Sequence, residues 1–366
     1  MSVEKPAVVI DNGSFSTKCG FSSDNHPVSM FRTVVGRPSH LQGKYGREHY
    51  EVLVGDCATQ QDDYDLSLPV VGGRIVHWDN MERVWHHCFY RELKVAPEDR
   101  AVLQCCAHDA PMAEKLKCCE IFFESLNSPS LCLQPHPALA VYSAGLTSGV
   151  CVDLGYDRVS INPVYEGGVI HYAHTTTNLA TAQLQNYIDD CFKERGLDLN
   201  GEIIEKIRRS RVYVTPDAAM RVCKYKIMYD LPSGDTINVC NEAFMAGEMI
   251  FSPCEVLGEK SDFTALHEAV RTSVEKCDPD LHSELLAGVV LCGGLAMLAG
   301  LGPRLQSELE ALLGRPAHVH RSDEAYVAQW LGGAIFVELP DSSKVCVTKD
   351  QYLEHGERIV RNKFTN

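Results

Sequence analysis

The hydrophobic pattern begins with Ala7-Val-Val-Ile10, four apolar residues in a row that predict a buried strand. Asn12-Gly13 directly behind them predicts a tight hairpin, from which the chain returns in a second strand ending near Phe21. Farther on, Trp78, Met81, Val84, Trp85 and Phe89 recur at three- and four-residue intervals, which predicts an amphipathic helix over 78–90 with Asp79 near its start. Helical patterns also cover 115–126, 137–145, 179–196, 201–212, 261–277 and 303–313. Short apolar runs predict strands over 130–133, 236–239 and 286–294, the last ending in Gly293-Gly294, and a further apolar segment over 330–337 starts with small residues.

The opening pattern then recurs. Gly149-Val-Cys-Val-Asp153-Leu-Gly155 is again an apolar strand running into an Asp-x-Gly turn, with 159–165 as its returning strand. An internal repeat of this kind implies two related domains facing one another across a cleft, and the small residues over 142–149 suit a hinge between them. Length agrees, since 366 residues exceed what one compact core holds. The net charge of −15 argues against duplex DNA or an anionic membrane as the main partner, because phosphate-rich surfaces need a basic face. The uncharged run 285–303 is interrupted by glycines and reads as strand, turn and helix start rather than a membrane span. The N-terminus has no apolar core of a secretory signal. With no such signal and no Cys-x-x-Cys pair, the 16 cysteines are expected to be reduced, mostly buried thiols, a redox or cross-linking role for some staying open. His86 and His87 are adjacent and point apart on a helix, so core packing is expected rather than metal binding. Residues 40–50 read as an exposed, mobile loop.

The candidate chemistry sits at the turns. An Asp-Asn-Gly-Ser turn presents backbone N–H groups that can cradle phosphate oxygens, Ser14 adds a hydroxyl, Lys18 a cation, and Asp11 a carboxylate able to hold a metal-bound water. Standing alone, such a turn more often means a hairpin without a ligand. Its recurrence at Asp153 and Gly155 changes that balance, since two opposed turns can clamp a polyphosphate. Gly293-Gly294 lets backbone approach a flat ligand closely.

Strand–Asp-x-Gly turns in both halves, with a Gly-Gly turn after a late strand, resemble the plan of the actin, sugar kinase and Hsp70 superfamily. The text between them is similar to actin and the actin-related proteins: Val34-Val-Gly-Arg-Pro38, Trp78-Asp-Asn-Met-Glu82, Trp85-His-His87, Glu92 to Glu98, Tyr165-Glu-Gly167, Tyr229-Asp-Leu-Pro232, Asn241-Glu-Ala-Phe244, Lys276-Cys-Asp278 and Trp330-Leu-Gly-Gly333, in order from Val8 to Tyr352. The resemblance implies an α/β, actin-like ATPase-domain fold of two RNase H-like domains facing a central cleft. The small outer domain would be 1–143 plus 331–366, with the exposed loop 40–50, and the large inner domain 144–330. It further implies ATP or ADP with magnesium, held by Asp11, Asn12, Gly13, Ser14, Lys18, Asp153, Gly155, Gly293, Gly294 and Met297, with Asp11 and Asp153 reaching the metal through water. Gly294 is expected to be packed in the cleft.

Several positions depart from the family pattern. Phe15 stands where actin has glycine, a bulk expected to crowd the site or force the turn into another conformation, and Tyr156-Asp157-Arg158 replaces an Asp-Gly pair. His136 takes the place of the glutamine that positions the attacking water, and Ser160 or Ile161 that of the assisting histidine. Arg208-Arg209 replaces a Lys-Glu pair, so a ribose acceptor has become a guanidinium, and the lysine before Trp330 is missing. Residues 41–50, the link near Gly201 and the N-terminus differ on the polymer-forming and motor-binding surfaces. The expectation is a divergent actin-like structural or adaptor protein of the cytoplasmic cytoskeleton with impaired phosphate binding and little hydrolysis. Its partners would be cytoskeletal proteins, actin or actin-related proteins among them, without direct nucleic-acid contact or membrane insertion. A slow ATP-binding switch or weak ATPase, and a subunit of a dynactin-type or chromatin complex, stay open as alternatives. Divergence with many cysteines is similar to the male germ-cell actin-like proteins of the sperm-head cytoskeleton.

Overall fold

Every residue of the strand Val8–Asn12 is buried, because it has a neighbour on each side: Ser16–Phe21 runs antiparallel along one edge and Val102–Cys106 parallel along the other. A strand covered on both faces needs an apolar run without alternation. Val8 and Ile10 enter one hydrophobic cluster with Trp85, Phe89 and Phe122, while Val9 points the other way to Leu103, Leu139 and Trp330. That is the two-residue period of a strand serving two cores at once.

The computed structural model of the chain describes residues 5–39, 51–216, 226–258 and 261–364. The expected loop 40–50 lies outside the described residues. The chain divides into two compact units, Met1–Gly145 with Val327–Asn366, and Leu146–Tyr326. Val327 to Trp330 therefore go with the first unit, for a packing reason: Trp330 is fully buried in the cluster of Val9 and Leu103, and its indole N–H donates to the Val9 carbonyl at 3.0 Å.

In the first unit a six-stranded sheet runs in the order Val347–Thr348, Ser130–Pro135, Val102–Cys106, Val8–Asn12, Ser16–Phe21, Ser29–Arg32. The three middle strands are parallel and the outer ones antiparallel. Helices Trp78–His87 and Met112–Glu120 bury side chains in the cluster on one face, and His136–Ser143 and Ala328–Val337 in that on the other. The second unit repeats the plan. Gly149–Leu154 pairs antiparallel with Val159–Tyr165 and parallel with Val289–Cys292, which pairs parallel with Val319–Arg321.

The small residues at the start of the apolar segment 330–337 have a direct cause. A Cβ on Gly332 would lie 1.7 Å from the Leu139 carbonyl oxygen, and one on Gly333 2.9 Å from the Val9 side chain. The helix Ala328–Val337 thus packs backbone to backbone on His136–Ser143, which only glycine allows.

Some expectations change. The helix over 261–277 starts only at Leu266, whose N–H is held by the Ile250 carbonyl at 3.0 Å. The helix over 78–90 is α-helical to His87 and then widens into a π-helix, Cys88–Leu93. The adjacent histidines are not core residues: His86 stacks on Tyr90 with its side chain 42% exposed, and His87 pairs with Glu92 at 2.9 Å. Among the described residues fourteen cysteines are free thiols, most of them buried, and Cys240 is disulfide-bonded, a cross-link of the kind left open for some of them. Sequence spacing does not show which sulfurs the fold brings together. Among the described residues no helix is long and apolar enough to cross a membrane.

Gly332→Ala should lower unfolding stability by about 3 kcal/mol, because a methyl group has to displace backbone rather than a flexible side chain. Urea denaturation followed by tryptophan fluorescence measures this, and a change within about 0.5 kcal/mol would show that the two helices can separate freely.

Candidate functional site

In the first unit, Asp11 and Asn12 end their strand and Gly13, Ser14 and Phe15 make the turn, closed by the Gly13 N–H on the Ser16 carbonyl at 3.0 Å. Neither Gly13 nor its two followers has a positive φ. Phe15 leaves the hairpin register intact, and its ring lies under the Arg32 guanidinium at 3.7 Å, a cation–π contact. This side chain therefore does not force the turn into an unusual conformation.

Asn12 holds the turn in place from inside. Its amide nitrogen donates to Thr17 Oγ1 at 3.0 Å, and its oxygen accepts from the Trp85 indole at 3.0 Å and from Gln104 Nε2 at 2.9 Å. This side chain is engaged by the core and is not free for a ligand. Ser14 Oγ accepts from the Gly73 N–H at 3.2 Å, which fixes it to the turn of a neighbouring hairpin.

Asp11 is almost wholly buried, with Lys18 and His136 against its carboxylate. Lys18, directly opposite it in the hairpin register, approaches one carboxylate oxygen to 2.9 Å, and His136 Nε2 lies 3.2 Å from the other. His136 gets there as the first residue of the helix that follows the parallel strand Ser130–Pro135. Burial alone would raise the Asp11 pKa, but the Lys18 charge together with His136 outweighs it and holds the carboxyl well below its usual range.

In the second unit, Asp153 stands near the end of its strand, opposite Ser160 and beside Cys292. The Gly155 N–H donates to the Arg158 carbonyl at 3.2 Å, and a Cβ on Gly155 would meet that oxygen at 2.7 Å. The carbonyls of Gly155 and Tyr156 accept from the Thr181 hydroxyl and the Ala182 N–H, each at 2.9 Å, at the start of helix Thr181–Glu194. A helix N-terminus is a natural anion site, but here some of its donors close on the loop itself. No residue from Leu154 to Arg158 has a positive φ, so Tyr156-Asp157-Arg158 forms the turn without strain.

Gly293 and Gly294 differ. Gly293 has φ +90°, and a Cβ there would come within 2.5 Å of the Leu154 carbonyl and 3.0 Å of Asp153 Oδ1. It ties the glycine turn to the Asp153 loop by close approach. Gly294 is exposed, with nothing within 4 Å of where a Cβ would be. The packing expected at Gly294 belongs to Gly293, while the open position above Gly294 is suited to a flat ring. Met297 ends the same turn and lines a cavity of about 840 Å³ with Gly300, Gln306 and Arg321.

Arg208 is buried, and its Nε lacks a hydrogen-bond partner. Burial, helped by repulsion from Arg209 and opposed by Glu205 and Tyr156, lowers its pKa to about 10. Arg209 pairs with Glu205 at 2.7 Å. These two positions offer donors and no acceptor of their own.

Each unit thus brings its expected residues together at the ends of its strands: Asp11, Gly13, Ser14 and Lys18 in the first, Asp153, Gly155, Gly293, Gly294 and Met297 in the second. For magnesium nucleotide the fit is partial. The glycine turn suits a base, but one Asp11 oxygen is paired with Lys18 and the other faces His136. Sequence reasoning missed the partners of Asn12. Gln104, a polar residue in the middle of the apolar run Val102 to Cys106, was the available signal, since a buried amide needs partners.

Two substitutions test this geometry. Gly293→Ala is expected to destabilise by more than about 2 kcal/mol and Gly294→Ala by less than about 0.5, measured by chemical denaturation; similar losses would contradict the assignment. Lys18→Met leaves a buried carboxylate short of its main partner and should cost about 3 kcal/mol at neutral pH. Because the folded-state pKa of Asp11 is depressed, the stability it contributes is present above about pH 4 and is lost as pH falls toward the folded value. The difference between wild type and Lys18→Met should therefore shrink at acid pH, and a difference that stays constant from neutrality to pH 3 would refute the pairing.

The family model described as actin matches residues 2–220 and 199–365, which together span nearly the whole chain. The repeated hairpin-plus-parallel-strand plan finds its explanation there: the chain belongs to the actin family.

Proposed function

We propose that this actin-family chain is a structural or adaptor protein of the cytoskeleton that turns over ATP slowly or not at all. The observation that carries the proposal is the contact of His136 Nε2 with Asp11 at 3.2 Å. Phosphoryl transfer depends almost wholly on positioning and charge stabilisation. At the position where the family resemblance calls for a water-positioning glutamine, this chain has an imidazole turned onto a buried carboxylate. The engaged second loop and the donors at Arg208 and Arg209 support the same reading. On it, the fold serves as a shaped body in the cytoplasm that presents surfaces to cytoskeletal proteins, actin or actin-related proteins among them.

A second reading, a slow nucleotide-binding switch, is favoured by the open face of Gly294 and the unstrained turns at Gly13 and Gly155. Isothermal titration with magnesium-ATP and a phosphate-release assay, run beside a conventional actin, separate the two. Absence of binding, or binding without phosphate release, is the expected result and the second of these favours the switch. Release at the rate of the conventional actin overturns the proposal.

A further inference from the structure

Two cysteines far apart in sequence meet at the edge of the first unit's sheet. Cys132 lies in Ser130–Pro135, and Cys346 directly precedes the edge strand Val347–Thr348. These strands pair antiparallel with Leu131 opposite Val347 and Ser130 opposite Thr348. One step further along that register sets Cys132 opposite Cys346, whose backbone is still extended at φ −79°, ψ 151°. Both side chains turn to the same face: Cys132 belongs to the cluster of Val9, Leu103 and Trp330, and Cys346 packs against it. Facing residues of an antiparallel pair have Cα atoms about 4.5–5.5 Å apart, inside the roughly 4.4–6.8 Å that a disulfide spans.

We propose that Cys132 and Cys346 form a reversible dithiol–disulfide site oxidised by small-molecule disulfides. Cys132 is held protonated by its interaction with Cys346 and by burial, whereas Cys346 is eased toward the thiolate by the Cys132 thiol and the Lys363 charge, against its own burial. Exposure sets the order of events, since Cys346 is partly exposed and Cys132 is buried. The Cys346 thiolate attacks one sulfur of the small disulfide, forms a mixed disulfide and expels one thiolate. Cys132 then gives up its proton and attacks Cys346 Sγ, expelling the second thiolate. The protein loses two electrons and two protons, and the small disulfide is reduced to two thiols. The bond ties the edge strand Val347–Thr348, and with it the helices Lys349–His355 and Glu357–Lys363, to the sheet.

Other thiols do not match this arrangement. Cys151 and Cys292 have sulfurs 3.6 Å apart, but both are fully buried, beyond the reach of an oxidant in solution. Cys57 and Cys254 are exposed and serve as internal controls for simple glutathione capture.

The test exposes the reduced full-length protein to oxidised glutathione, quenches with acid, alkylates and maps peptides by mass spectrometry. The expected product is a cross-linked peptide joining Cys132 to Cys346, about 2 Da lighter than its two reduced parts and lost on treatment with dithiothreitol. In Cys132→Ser, Cys346 should keep glutathione as a stable mixed disulfide, and in Cys346→Ser, Cys132 should stay a free thiol. If Cys132→Ser fails to fold, the wild-type map and Cys346→Ser still decide. A wild-type Cys346 that ends as a free thiol or as the glutathione adduct, with Cys132 free, overturns the proposal, as does cross-linking of Cys346 to any other cysteine.

Discussion

The amide of Asn12 is the constraint on which the first unit's loop depends. It joins three elements, the last two distant in sequence: the returning strand through Thr17, the helix Trp78–His87 through Trp85, and the neighbouring parallel strand through Gln104. A buried amide costs free energy unless both its ends are bonded, so a partial set of partners would be worse than an apolar core. With the set satisfied, the end of the first strand is fixed, and with it the direction in which Asp11 presents its carboxylate to Lys18 and His136. The loop's electrostatics follow from a packing arrangement one residue away.

The second unit meets the same demand by other means. Its Asp153 loop is held by the donors at the start of Thr181–Glu194 and by the close approach of Gly293. Behind it, Arg304, with its side chain 2% exposed, donates to the Thr215 carbonyl at 2.9 Å, to Glu248 at 3.2 Å and to Glu308 at 2.7 Å. A buried guanidinium with several acceptors is a fixed cross-brace, because leaving any partner out would strand a charge. The strand plan repeats between the units, but the polar side chains that secure it do not.

This contrast explains what could be read from the chain alone. The strands Val8–Asn12 and Val159–Tyr165, the helix starting at Trp78 and the turn at Gly13 were legible because hydrophobic period and turn chemistry are local. The candidate residues were legible as two clusters because Asp-x-Gly turns mark the ends of strands. What stayed hidden was contact between distant positions: the engagement of Asn12, the contact of His136 with Asp11, the disulfide at Cys240, and the exchange of roles between Gly293 and Gly294. In the last case two identical neighbours differ only in what lies above them, which no local pattern encodes. The Arg32 guanidinium that covers Phe15 was hidden for a related reason, since the bulk of Phe15 is visible in the sequence and its partner is not.

Where the chain departs from the actin pattern also bears on what it retains. Gly332, Gly293 and Asn12 are positions where a change collides with backbone or strands a buried amide, and there the fold's requirements are met. The departures at Phe15, Tyr156 to Arg158, His136 and Arg209 fall where the backbone has no positive φ and the new side chain finds a partner or a solvent-facing place. Arg208 is buried with Nε lacking a hydrogen-bond partner, and His136 Nε2, close to Asp11, is likewise buried without a hydrogen bond of good geometry. The side chains at these departures are thus held by local contacts, while Gly332, Gly293 and Asn12 position strands and helices. A chain under that division keeps its shape whatever becomes of its chemistry, because the residues that build the two strand-end loops are largely distinct from those that would use them.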